Sequence, residues 1–140
     1  MEHTIDECLS YVLSVTRYLK RGDFQAILLA ILIELGFPVH RDGFEFLMEA
    51  ILLKREYPRM RLSGIYDEII HRSGEVVGYN QIEQSIRSII RIAWERRDHE
   101  IWLYFFSEDE IGKKYPSNKV FISQMAYLAK LLSSCEEVTL

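Results

Sequence analysis

Asn80, Gln81, Gln84, Arg87, Ser88 and Arg91 bring together side chains that can form hydrogen bonds with base edges and phosphates. Amides donate and accept at base edges, hydroxyls do either, and guanidinium forks grip phosphate oxygens. Their spacing is helical. Turning about 100° per residue along YNQIEQSIRSIIRIAWERR, Tyr79 to Arg97, puts these six on one side and Ile82, Ile86, Ile89, Ile90 and Ala93 on the other. Short polar groups at the start of a helix, with arginines further along, suit one whose first turns meet bases and whose later turns meet phosphates. A plainer account also fits the pattern, because any amphipathic helix turns its polar residues to solvent.

Charge sets a condition on the first account. The chain carries a formal charge of −4 and a pI near 5.6, which argues against holding a polyanion by bulk attraction. Contact with nucleic acid must therefore come from a local patch. Between His71 and Arg97, five arginines (Arg72, Arg87, Arg91, Arg96, Arg97) face three glutamates (Glu75, Glu83, Glu95), a net of +2 that leaves −6 for the remainder.

Other chemistry finds no support in the residue order. His3, His40, His71 and His99 show no metal-ligand spacing, and neither a glycine-rich phosphate loop nor a nucleophile elbow occurs. Glu108, Asp109 and Glu110 lack the order of a calcium loop. No catalytic residue, metal or cofactor is expected, and the chain does not read as an enzyme. Cys8 and Cys135 lie near opposite ends without CxxC spacing, so reduced thiols are expected. The longest apolar run, Ala26 to Ile33, is too short to span a bilayer, and MEHTIDEC lacks the basic start of a signal peptide. A soluble, cytoplasmic protein without a membrane partner follows as the expectation.

At 140 residues, with 49% hydrophobic and 27% charged content, the chain suits one globular domain. Helix signals recur and alternating strand patterns are nearly absent. Thr4 with Glu7 forms a capping box for a first helix, roughly Ile5 to Arg21, stopped by Gly22. Asp23 caps a second through Leu35, Asp42 with Glu45 opens a third that stops at Pro58, and a fourth spans Ser63 to Arg72. Gly74 and Gly78 punctuate the segment before the fifth, Tyr79 to Arg97. A short helix over EIWLYFF, an acidic turn and a last helix capped by Ser117, to about Ser133, complete the chain. The expected fold is all-α, a compact domain of six to seven helices containing a helix-turn-helix. It divides into an N-terminal amphipathic helix (1–22), the main domain (23–134) and a frayed tail (135–140).

IELGFPVHRDGFEFLMEAI (Ile33 to Ile51), IYDEI, IEQSIRSIIRIAW and PSNKVFI follow one another in an order that resembles the DNA-binding effector domain of the sporulation stage-zero-A response regulator, over roughly Phe24 to Leu132. The resemblance implies a six-helix fold with a helix-turn-helix, transcription control in endospore-forming bacteria, and dimers on tandem boxes of double-stranded DNA. It makes the fifth helix the recognition helix. Glu83 falls where the family has a base-contacting glutamate and Arg87 where it has an arginine near the phosphates. Gln81 and Gln84 stand where it has two base-contacting arginines, Ser88 replaces a histidine, and the turn is about two residues longer. Arginine forks onto guanine whereas glutamine pairs best with adenine, so base readout should differ from the family's.

Two alternatives stay open at this point. Asn80 with Glu83 can form a helix cap instead of a base contact, and Arg96 and Arg97 can complement a helix C-terminus instead of DNA. The family's receiver is not expected in the residues before Phe24, which read as one helix that packs on the domain or mediates self-association. A domain that has lost two arginines also fits a protein-interaction module that pairs with a related regulator and modulates it.

Overall fold

The computed structural model describes residues 4–15, 23–111 and 114–135. Among them are six helices of 11 to 18 residues, α1 (Ile5–Val15), α2 (Phe24–Glu34), α3 (Asp42–Glu56), α4 (Leu62–Arg72), α5 (Tyr79–Glu95) and α8 (Asn118–Cys135). Two four-residue turns of helix, α6 (His99–Trp102) and α7 (Glu108–Ile111), lie between α5 and α8. The fold is all-α, as the capping pattern predicts.

Several of the caps form where the sequence places them. Thr4 Oγ1 accepts from the Glu7 amide at 3.1 Å while Glu7 Oε1 accepts from the Thr4 amide, closing the capping box of α1. Asp23 Oδ1 accepts from the Ala26 amide at 3.0 Å, and Ser117 Oγ from the Val120 amide at 3.2 Å. The second half of the expected first helix, residues 16–22, lies outside the described residues, as do residues 136–140 of the expected tail. Cys135, placed in that tail by sequence, is the last residue of α8.

Three expectations need correction. α3 begins on Asp42 itself, with Arg41 as a cap that makes no side-chain bond. The acidic stretch after the aromatic run contains a helical turn, α7. α5 ends at Glu95 and not at Arg97, whose guanidinium folds back over the Trp94 ring, 3.5 Å from its centroid. Asp98 then starts α6 by accepting from the Glu100 amide.

α3 is the central strut, packed against α2, α4, α5 and α8. It meets α5 closely at Gly43. A Cβ at position 43 would stand 2.4 Å from the Ser85 carbonyl oxygen and 2.8 Å from its carbon, so the absence of a side chain is what lets the two helices meet. Trp102, fully buried, joins Phe37, Trp94, Phe106 and Phe121 in an aromatic core and donates its Nε1 hydrogen to the Leu35 carbonyl at 3.1 Å. α1 adds to this body through buried Cys8 and Val12 and through Tyr11, which stacks on Tyr104 at 4.4 Å and bonds Glu34. Burial pushes the Cys8 thiol up to about 11, which leaves it protonated and unreactive at neutral pH. No helix among the described residues is long and apolar enough to cross a membrane.

Candidate nucleic-acid interface

The strip on α5 is set by what its other face must bury. Ile82, Ile86, Ile90 and Ala93 have no exposed surface and Ile89 only 2%. Fixing that face against α3, α4 and α8 fixes the opposite one outward. Asn80, Gln84, Arg87 and Arg91 form one exposed line along the helix. Gln81, exposed, and Ser88, half-buried, flank the line on one side, and half-buried Glu83 flanks it on the other. All seven residues singled out by sequence therefore share one helix surface.

The Asn80 and Glu83 cap does not form. Gly78 is the capping residue of α5 and brings no side chain. Glu83 instead approaches Arg87, with Oε1 3.7 Å from Nη2, an i to i+4 pair on a solvent-facing surface. Such a pair contributes about 0.3 to 0.5 kcal/mol, little enough for a phosphate to displace. Arg96 and Arg97 are removed from the candidate interface, since Arg96 donates to the Gly36 carbonyl and Arg97 Nη1 to the Trp94 carbonyl at 2.8 Å. Arg72 pairs with Glu68 at 3.1 Å.

Six residues, Ser73 to Gly78, connect α4 to α5. Past Ser73, the end of α4 is closed by bonds from the Gly74 amide to the His71 carbonyl and from the Glu75 amide to the Ile70 carbonyl. Gly74 at φ 73° and Glu75 at φ 65° both take the left-handed conformation, which turns the chain out of α4 within two residues.

Asn118, which the sequence reading passed over, positions α5. It is the first residue of α8, is buried, and donates through Nδ2 to the Glu83 carbonyl at 3.0 Å and to the Tyr66 hydroxyl at 3.1 Å. One side chain thus ties α8 to the start of α5 and to the middle of α4. Burial pushes the Tyr66 hydroxyl up to about 12, so it stays protonated at physiological pH. Its only signal in the sequence was the PSNKVF run, where a polar residue before an apolar stretch reads equally as a helix start. Asn118→Ala would leave the Tyr66 hydroxyl without this donor, at an expected cost of about 1 to 3 kcal/mol. Chemical denaturation checks this, and a midpoint equal to that of wild type would show the clasp to be idle.

A family model described as the sporulation initiation factor Spo0A C terminal matches residues 28–128. The chain belongs to that family. The matched span runs from within α2 to within α8 and takes in the whole of α3, α4 and α5. Domains of the sporulation initiation factor C-terminal family are DNA-binding effectors of transcription factors and not enzymes. No solved structure matches the chain.

Proposed function

We propose that this member of the family is a sequence-specific, DNA-binding transcriptional regulator whose base readout differs from that of its relatives. In this reading α4, the six-residue turn and α5 act as a helix-turn-helix, and α5 enters the major groove. Asn80, Gln81 and Gln84 meet base edges from its first turns, while Arg87 and Arg91 meet phosphates. Glu83 and Ser88 complete the surface. The observation that carries the reading is the exposed polar line on α5, set inside the span matched by the DNA-binding family. Glutamines stand where the family resemblance calls for arginines, which favours adenine over guanine as the preferred partner. A dimer on paired sites accords with the family's habit and is part of the proposal.

Arg87→Ala should weaken binding to every duplex and lower the slope of log affinity against log salt by about 1, because one phosphate contact is lost. Gln84→Ala should leave that slope unchanged and relax preference at one base pair. Fluorescence anisotropy over a salt series separates the two effects. An Arg87→Ala variant with the wild-type slope would remove this residue from the DNA surface.

A second reading, a protein-interaction module acting on a related regulator, is favoured by one observation. A cleft of about 650 Å³ between α2 and α3 has an apolar part, Leu29, Val39, Phe44, Met48 and Leu52, rimmed by Asp23, Gln25, Glu45 and Glu49, with Leu29 38% and Val39 39% exposed. Exposed apolar surface of this kind suits a protein partner. Absence of duplex binding by the wild-type chain at low salt, where phosphate contacts are strongest, would put this reading first.

A further inference from the structure

The α5 line is poor in positive charge. Of its two arginines, Arg87 already lies beside Glu83, so little remains there to hold an acidic protein against a polyanion. The missing charge lies elsewhere. Six of the chain's seventeen basic residues line one groove, formed by the C-terminal half of α3, the connection to α4 and one side of α8. Its first part, about 510 Å³, is bordered by Lys54, Arg59, Arg61 and Lys119. Its second part, about 250 Å³, shares Lys54 and Ser123 with the first and runs between Arg55 of α3 and Lys130 of α8, beside the half-exposed Tyr127 ring.

Among the described residues no carboxylate lines either part. Arg59, Arg61, Lys119 and Lys130 are exposed, and Lys54 is held in place by donating Nζ to the Met60 carbonyl at 2.8 Å. Grouped like charges repel, an unfavourable arrangement that an anion along the groove would relieve. The position of the groove also bears on α5. Lys119 directly follows Asn118, whose amide is bonded to the Glu83 carbonyl near the start of α5, and Ile65 of the groove directly precedes Tyr66, the other partner of that amide. Lys119 thus follows a residue bonded to the α5 backbone at Glu83, within the helix turns that carry Asn80, Gln81 and Gln84.

The geometry points to this groove as the seat of the DNA phosphodiester backbone flanking the base pairs that α5 reads. The inference rests on the DNA reading and adds to it that most of the sequence-independent attraction comes from α3, the α3 to α4 connection and α8, with α5 left to read bases. Solvent-facing lysines and arginines serve this role because release of counterions from DNA, and not burial, drives the contact.

The test uses the full chain and a mixed-sequence duplex of about 30 base pairs, with affinity followed by fluorescence anisotropy across a salt series. Arg59→Ala with Lys119→Ala should lower the salt slope by about 2, and the reversals Arg59→Glu with Lys119→Glu should reduce affinity by more than tenfold at low salt. Circular dichroism melts confirm that these surface variants fold. Duplex binding by wild type with an unchanged slope in the double variant would overturn the groove and leave the α5 reading intact. No binding by wild type would overturn both. Loss of binding on changing the groove, with none on changing Arg87 and Arg91 to alanine, would uphold the groove and remove α5.

Discussion

Ile86→Asp unfolds the domain. Ile86 has no exposed surface and sits at the centre of the buried face of α5, among Ile82, Ile89 and Ile90. A carboxylate there has no cation to meet from its own helix, since Arg87 and Arg91 face the opposite way. It must either ionise in an apolar site or take up a proton, and both routes cost several kcal/mol. A domain of this size is stable by only about 5 to 15 kcal/mol, so the folded fraction should collapse at or below physiological temperature. Ile86→Val, which removes one methylene, provides the control at an expected cost of about 0.5 to 1.5 kcal/mol. Thermal melts followed by circular dichroism decide the matter. An aspartate variant that melts with wild type would mean that this face of α5 is not the buried one, and the outward line opposite it would lose its basis.

Replacing Gln81 and Gln84 together by arginine should produce the largest change in binding. Both side chains are exposed, so the substitution tests recognition with little effect on folding. Under the proposed reading, preference moves from adenine toward guanine at the two positions met by these residues. Each good bidentate pair discriminates by about 1 to 3 kcal/mol, which is roughly five- to 150-fold per position. Two added cations next to phosphates should also steepen the salt slope, by up to about 2. Selection from a random duplex library, followed by anisotropy on the enriched sequences, reads both effects. If the double variant enriched the same sequences as wild type with the same slope, residues 81 and 84 would not face DNA.

Much of the architecture could be read from the residues because the forces that set it act over one helical turn. The Thr4 and Glu7 box, the Asp23 cap and the Ser117 cap all formed, each linking groups three residues apart. The isoleucine stripe of α5 repeats every three to four residues, so its buried face follows from order alone. The cap between Asn80 and Glu83, one of the alternatives the sequence leaves open, does not form. α5 begins two residues earlier than that cap requires, at Tyr79 with Gly78 as its cap, and the Tyr79 ring packs edge-on against Tyr66 at 5.1 Å. That contact spans thirteen positions, and no pattern within the helix announces it.

The sequence by itself determined the all-α class, the outward line on α5 and the family, because periodicity, caps and residue order are properties of neighbours along the chain. Tertiary structure alone decided where the charge goes. Counting from His71 to Arg97 finds a net +2, yet Arg72 meets Glu68, Arg87 lies near Glu83, Arg96 reaches the Gly36 carbonyl and Arg97 covers Trp94. The densest group of cations among the clefts described comes instead from positions 54 to 61, 119 and 130, which a count along the chain keeps apart. It was also the fold that brought Asn118 to Glu83, 35 positions away, and Gly43 against Ser85. The physical reason is common to all three. Coulomb forces, hydrogen bonds and steric contact depend on separations of a few ångströms in space, and positions distant in sequence reach those separations only after the helices have packed.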